Sequence, residues 1–265
     1  MAGAGKDQNS GRLPVLDEML KGLPQEPIPV ESVRIGPFLT VVCLGGAQPR
    51  TSQTPPRCGL ASTLASHEHG RKNLVSQVGT LEDLSAQELA GYLKSSFPLE
   101  ASVGLAALNA MLPVPPHCFQ ETPALDMVIE HGRDEPVAVI GHFPFVERLR
   151  EEAGELHVLE LKTIPGDRPA AQAGEILPRC RTVVLTATVL MNGTYHDMLP
   201  LCRQPFTAMM GPSTPASPVL WRYGVDVLAG STVVNPEECL KAVSQGAGYR
   251  DLKESVKKWT WKRKT

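Results

Sequence analysis

The second half of the chain alternates short apolar runs with longer amphipathic segments. Five apolar runs read "PVAVIG", "LHVLELK", "TVVLTAT", "FTAMMG" and "VDVLAG". Each precedes a segment with helical spacing, such as "FPFVERLREEAG" or "NPEECLKAVSQG". Apolar strands separated by helices are typical of a parallel sheet covered on both faces. We therefore predict an α/β, Rossmann-like domain with helices on both faces and right-handed crossovers.

The first half has a different rhythm. The runs "SVRIGPFLTVVCLGG" and "RCGLASTLA" look like strands joined by a Pro/Ser/Thr-rich loop without a helix, which predicts antiparallel neighbours. Ser85 and Glu88 then stand at capping-box spacing before one helix. Pro98 opens a second, "PLEASVGLAALNAML", which is apolar nearly all round and is therefore expected to be buried.

These patterns predict two domains joined by the proline-rich linker "PVPPHCFQETP". We assign residues 1–30 to an N-terminal extension, 31–122 to a small α+β domain, 123–250 to the Rossmann-like domain and 251–265 to a basic tail. The tail, which ends in "KKWTWKRKT", is expected to be a solvated end or a docked last helix.

Composition narrows the function classes. A formal charge of −2 argues against a nucleic-acid-binding body. No apolar run approaches the roughly 20 residues of a membrane span, and the start lacks a secretory segment, so we expect a cytoplasmic protein that contacts neither nucleic acid nor membrane. Six cysteines without a CxxC pair indicate neither a zinc ribbon nor a disulfide framework. Homo-oligomer formation stays open.

Polar and glycine residues follow each predicted strand, at the carboxyl edge of the sheet, which is the usual ligand side of this architecture. Glycine lets a ligand approach the backbone, and hydroxyl and amide groups can bind oxyanions. The alternative is that such residues only form turns and caps. The ligand-binding residues predicted at this rim and on the buried helix are Asn109, Gly141, His142, Asp167, Thr186, Thr188, Asn192, Gly193, Thr194, Gly211, Ser213 and Thr214.

The stretch "TVVLTATVLMNGTYHDML" can likewise be interpreted either as a turn and helix cap or as a ligand site. Thr194 fits the N-cap of a helix that begins near Tyr195, which would make Asn192-Gly193-Thr194 a turn. The same three residues could instead present donors to a bound anion. In the buried helix, Glu100 and Asn109 must have partners or face a cavity, because an unpaired buried polar group is costly. For Glu100, compensation of the helix dipole is the simpler explanation.

Three histidines are candidate metal ligands. His67 and His69 would share a face on a strand, although their surroundings resemble a strand end or an exposed loop. His142 follows Gly141 at the end of the first Rossmann strand, where it could bind metal, act as acid or base, or only hydrogen-bond within its loop. Phe143 stands where a nucleotide fingerprint would need glycine, which argues against ordinary NAD chemistry.

Several of these motifs together resemble a known family. "AVIGHFPFVERL", "GDRPAAQAGEILP", "GPSTP" and "GVDVLAG", with "ASVGLAALNAML" upstream, are similar to the heavy-metal-chelation family. The resemblance covers about Glu31 to Tyr249 and implies an enolase-N-terminal-like domain joined to a Rossmann-like domain. Ala187 stands where relatives tend to have glycine, and Gln245 where an acidic residue is common.

The resemblance implies a small polar or anionic, metal-chelating ligand in the cleft between the domains, with a divalent heavy metal as the associated ion. An alternative is an enzyme of chelator or cofactor biosynthesis that binds S-adenosylmethionine, with Asp167 on the ribose hydroxyls by analogy with other Rossmann folds. A third is a metal-binding module without turnover.

Overall fold

The structure, a computed structural model, describes residues 13–46, 57–64 and 74–264. Helices and strands of the first half are α1 (Val15–Lys21), β1 (Val30–Ile35), β2 (Leu39–Leu44), β3 (Cys58–Ser62), α2 (Ala86–Gly91) and α3 (Pro98–Met111). The three strands form an antiparallel sheet in the order β1-β2-β3, as the sequence predicted.

The second half forms a seven-stranded sheet. Its elements are α4 (Ala124–Gly132), β4 (Pro136–Ile140), α5 (Val146–Glu152), β5 (Glu155–Glu160), β6 (Arg168–Pro169), α6 (Ala173–Ile176), β7 (Thr182–Thr186), α7 (Val189–Asn192), α8 (Tyr195–Met198), β8 (Phe206–Met210), β9 (Val227–Val233), α9 (Pro236–Ser244) and β10 (Val256–Lys262). The strand order is β10-β9-β8-β7-β4-β5-β6, and only β10 runs antiparallel to its neighbour. The predicted α/β class with a mostly parallel sheet is confirmed.

Alternate residues of the central strands belong to two hydrophobic cores, one on each face of this sheet. Val137 and Val139 of β4 pack with α4 and α5, whereas Ala138 and Ile140 belong to a larger core. That larger core continues into the first half through α3. The two halves of the chain therefore share one apolar core rather than meeting only across an open cleft.

Helix α3 is buried on nearly every side because small residues let other backbone segments approach it. A Cβ added to Gly104 would lie 2.1 Å from the Leu93 amide nitrogen. A Cβ added to Gly59 of β3 would lie 2.1 Å from the Ala106 carbonyl oxygen. Both contacts exclude any side chain, so this packing requires glycine. The predicted capping box before α2 is also present, since Ser85 accepts from the Glu88 amide while the Glu88 carboxylate accepts from the Ser85 amide.

Two described segments near the chain ends, α1 and β10, differ from the roles predicted for the extension and the tail. Strand β10 lies inside the segment predicted as a basic tail and pairs with β9 along seven residues. Trp259 is buried there, and its ring packs so closely on Gly230 that a Cβ at that position would lie 2.4 Å from it. Within the predicted extension, α1 buries Val15, Leu16 and Met19 in the larger core. Burial of these apolar side chains makes α1 and β10 part of the fold.

A disulfide joins Cys43 to Cys58, so the expectation that no disulfide is indicated was wrong for this pair. The two residues face each other in the register of β2 and β3, which is a contact that sequence spacing does not reveal. The other four cysteines are free and buried. Within the described ranges, no helix has the length and apolar character needed to cross a membrane.

Candidate functional site at the carboxyl edge of the parallel sheet

The strand order places a topological switch point between β4 and β7. The chain proceeds from β4 to β5 on one side, then returns to β7 and continues through β8 and β9 on the other. In such sheets a crevice opens outside the carboxyl ends of the two strands at the switch point. Gly141 follows β4 there and Thr186 ends β7. A Cβ at Gly141 would lie 2.9 Å from Thr186 Cγ2, so the two predicted residues are in contact.

His142 and Asp167 are hydrogen-bonded to each other at this switch point. His142 Nε2 lies 3.1 Å from Asp167 Oδ1 and 3.0 Å from Oδ2. The imidazole is 43% exposed, whereas the carboxylate is only 4% exposed. Asp167 follows the loop after β5 rather than the strand itself, and it is fixed there because its carboxylate accepts from the Ile164 amide at 2.9 Å. A buried carboxylate therefore orients an accessible imidazole.

The same contacts set the charge of Asp167. The backbone amide of Ile164 and, secondarily, His142 lower the pKa of its carboxyl below the ordinary value, although burial acts in the opposite direction. Asp167 is therefore ionised at neutral pH. An ionised carboxylate favours the His142 tautomer that carries its proton on Nε2, which leaves Nδ1 with a lone pair.

Phe143 covers the backbone of two rim glycines. Its ring lies 3.7 Å from a Cβ placed at Gly141 and 4.0 Å from one placed at Gly211. It also stacks on Phe145, with ring centroids 4.9 Å apart. Beside Phe143, the hydroxyls of Thr186 and Thr188 lie 3.1 Å apart and both side chains are half-buried.

Asn109 and Ser213 instead connect the two halves of the molecule. Asn109 Nδ2 donates to the carbonyl oxygens of Leu60, at 2.8 Å, and of Ser213, at 3.1 Å. Ser213 Oγ accepts from the Ser62 amide at 2.7 Å and donates to Ser62 Oγ at 3.1 Å. Ser213 is only 2% exposed. Sequence reasoning missed Ser62, because its position in a small apolar strand gives no sign of a partner 151 residues away.

Thr214 and Asn109 keep unused hydrogen-bonding capacity. Thr214 Oγ1 and Asn109 Oδ1 are both buried, and neither finds a partner among the described residues. Because Gly211 contacts Phe143 while Ser213 contacts Ser62, the Gly211–Thr214 turn links the switch point to the contact between the domains.

The Asn192-Gly193-Thr194 segment is a turn between two short helices. Asn192 Oδ1 accepts from the Thr194 amide at 3.1 Å and from Thr194 Oγ1 at 2.7 Å. Gly193 adopts a left-handed conformation with φ +79°, which favours glycine. Thr194 precedes α8, which begins at Tyr195 as predicted, but its side chain makes no capping bond. Asn192 is exposed, and its amide Nδ2 remains a donor available to a ligand.

Glu100 accepts hydrogen bonds from two groups outside its helix, so its role is more than compensation of the helix dipole. Its carboxylate accepts from the Ser76 amide at 2.7 Å and from the Ser95 hydroxyl. Burial raises the pKa of this group, but the bonds to Ser76 and Ser95 outweigh it, so the pKa lies below its ordinary value. Glu100 therefore fixes the segment around Ser76 to α3.

The described residues hold no preformed cluster of metal ligands. No group of three or more His, Cys, Asp or Glu side chains with suitable placement occurs in residues 13–46, 57–64 and 74–264. The predicted ligands His67 and His69 lie outside the described residues. Among the described residues, His142 thus offers one imidazole at the rim, and a bound molecule could supply further metal ligands.

Comparison with known proteins gives the family. Two models, each described as "Putative heavy-metal chelation", match residues 16–112 and 123–262. The crystal structure of a DUF364-family protein of unknown function from Desulfitobacterium hafniense is similar, with a TM-score of 0.76 and 26% identity over 94% of this chain and 98% of that one. A structure from Pyrococcus horikoshii, also of unknown function, shares the fold, with a TM-score of 0.73 and 18% identity over 94% of this chain and 98% of that one. No curated protein matched. The chain belongs to the DUF364 family.

Proposed function

We propose that the protein binds a small polar or anionic, metal-chelating molecule at the rim beside the contact between its two domains, and that it handles a heavy metal in this complexed form. The observation that carries this proposal is the His142–Asp167 pair at the switch point. Histidines that bind metal commonly donate their second ring N–H to a carboxylate, which fixes the ring and raises its basicity.

A metal complex suits this site better than a bare ion. One imidazole satisfies one of the four or more positions that Zn²⁺ and similar ions require. A chelating molecule supplies the remaining ligands and brings polar groups of its own. Asn192 Nδ2 and the hydroxyls of Thr186 and Thr188 are donors or acceptors on the same edge of the sheet.

The alternative of an S-adenosylmethionine enzyme finds less support in this geometry. The ribose hydroxyls of S-adenosylmethionine would have to hydrogen-bond to the carboxylate of Asp167. That side chain is buried, and both its oxygens already contact His142. Saturable binding of S-adenosylmethionine in a calorimetric titration, with loss in Asp167→Asn, would favour the enzyme over the chelate-binding protein.

The direct test uses Ni²⁺–nitrilotriacetate, a metal chelate with open coordination positions, titrated calorimetrically into the purified protein. We expect His142→Ala to weaken binding at least about tenfold, and Asp167→Asn to weaken it by roughly 10-fold while keeping the imidazole. His117→Ala is the matched control, because His117 is an exposed histidine outside the rim. Equal affinities of wild type and His142→Ala, or an equal loss in His117→Ala, would overturn the proposal.

A further inference from the structure

A basic depression lies at the opposite edge of the parallel sheet. It has a volume of about 270 Å³, and its lining includes Arg181, Arg203, Gly224, Asp226 and Arg263. Arg181 precedes β7, Asp226 precedes β9 and Arg263 follows the antiparallel β10, so all three mark the amino edge of the parallel strands. None of the predicted rim residues contributes to this depression.

One arginine is held in place by the only carboxylate of the lining. Arg263 Nη2 lies 3.0 Å from Asp226 Oδ1, and Arg263 Nη1 donates to the Trp221 carbonyl oxygen at 3.3 Å. The other carboxylate oxygen of Asp226 accepts from the Thr207 amide at 3.0 Å. Asp226 therefore neutralises Arg263, and each of its two oxygens already has one partner.

The other two arginines keep their charge uncompensated. Neither Arg181 nor Arg203 forms an ion pair with any carboxylate in the part of the chain that the structure describes. With three guanidinium groups and one carboxylate, the lining carries a net charge of +2. Like charges gathered in one concave surface repel each other unless an anion sits between them.

Backbone contacts bring these segments together. The Phe206 amide donates to the Arg181 carbonyl at 3.0 Å, and the Arg263 amide donates to the Asp226 carbonyl at 2.8 Å. Gly224 adopts φ +93°, and a Cβ there would lie 2.7 Å from the Cys202 carbonyl oxygen. Glycine is thus required where the 224–226 turn meets the segment that carries Arg203. The positions of all three arginines follow from the fold.

We propose that this depression is a second ligand site, specific for a small oxyanion with two or more negative charges, such as a phosphate or a polycarboxylate. Guanidinium groups bind both classes through paired, charge-assisted N–H···O bonds. The volume is just below the range of about 300–1,000 Å³ that is usual for small-molecule pockets, which suits an anion of phosphate to citrate size. This site is separate from the metal-chelate site proposed at the rim.

The test is calorimetric titration with inorganic phosphate and with citrate, in chloride buffer of constant ionic strength. We expect saturable binding of at least one anion, weakened about tenfold or more by Arg181→Gln and by Arg203→Gln, and abolished in the double variant. Preference for phosphate or citrate identifies which oxyanion class the site takes. Arg148→Gln, which removes an exposed arginine that does not line the depression, is the matched control.

Three results would overturn this assignment. They are the absence of saturable binding of both anions to the wild type, an unchanged affinity in the double variant, and an equal loss in Arg148→Gln, which would indicate a general effect of charge. Unchanged melting temperatures of the variants confirm that the exposed side chains were replaced without unfolding the protein. Ni²⁺–nitrilotriacetate affinity should be the same in Arg181→Gln as in the wild type.

Discussion

Replacement of Ser213 by alanine should lower stability and leave ligand binding unchanged. The Ser213 hydroxyl accepts from the Ser62 amide at 2.7 Å and donates to Ser62 Oγ at 3.1 Å, in a position that is 2% exposed. Its loss leaves the Ser62 amide without an acceptor, which costs about 1–3 kcal/mol. At roughly 2–4 °C per kcal/mol for a chain of this size, a loss of about 2 kcal/mol lowers the melting temperature by roughly 4–8 °C.

Thr214→Val is a matched control at the next residue. Thr214 is also 2% exposed, but its hydroxyl has no partner among the described residues. Valine has nearly the same shape and removes a buried hydroxyl that gains nothing from a hydrogen bond. We therefore expect stability to be unchanged or raised by about 1 kcal/mol.

Differential scanning calorimetry with and without Ni²⁺–nitrilotriacetate measures both quantities. If Ser213→Ala kept its melting temperature but lost chelate binding, Ser213 would be a ligand contact, and its assignment to the domain contact would be refuted. If Thr214→Val were destabilised as much as Ser213→Ala, the Thr214 hydroxyl would have a bound partner such as an ordered water, and the reasoning from its unused hydroxyl would fail.

Three further predictions concern single contacts. Replacing Cys43 and Cys58 by serine removes a disulfide that closes a loop of 15 residues. The free energy of unfolding, measured by urea denaturation, should fall by up to about 3 kcal/mol. A loss near zero would mean that the disulfide is not formed in solution. Asn192→Ala removes both side-chain hydrogen bonds of the turn and should lower the free energy of unfolding by about 1 kcal/mol, whereas Thr194→Ser should lower it by almost nothing. A weaker affinity of Asn192→Ala for Ni²⁺–nitrilotriacetate would show that Asn192 also contacts the ligand. Burial and a hydrogen bond to Glu18 raise the pKa of Tyr223 to about 12, so its stabilising contribution is complete below pH 10 and declines as the pH rises towards 12. Stability measured from pH 9 to 12 should therefore fall less in Tyr223→Phe than in the wild type, and parallel curves would contradict this.

The parallel strands and the cap of α2 could be predicted because their signals are local. Ser85 and Glu88 mark the start of that helix within four residues, and the capping box is present. Strand β10 had no such local signal, because its several lysines make the segment look solvent-exposed although Trp259 is buried. Trp259 is accommodated by Gly230 of β9, which is 29 residues earlier in the chain.

The rim shows the same distinction at the level of single atoms. Parallel strands place their carboxyl ends at one edge, so His142, Thr186 and Gly211 could be assigned to that edge without coordinates. The hydrogen-bond partner of each side chain depends on the conformation of loops, whose sequences lack the hydrophobic periodicity that predicts helices and strands. Ser213 and Thr214 are neighbours with the same hydroxyl chemistry, yet one is bonded to Ser62 and the other is not. Residue type and strand end therefore predict where a site can form, whereas assigning a ligand role requires knowing which groups the fold has already paired. By that criterion His142 Nδ1 and Asn192 Nδ2 are the groups to test first, because the other polar atom of each side chain is already bonded.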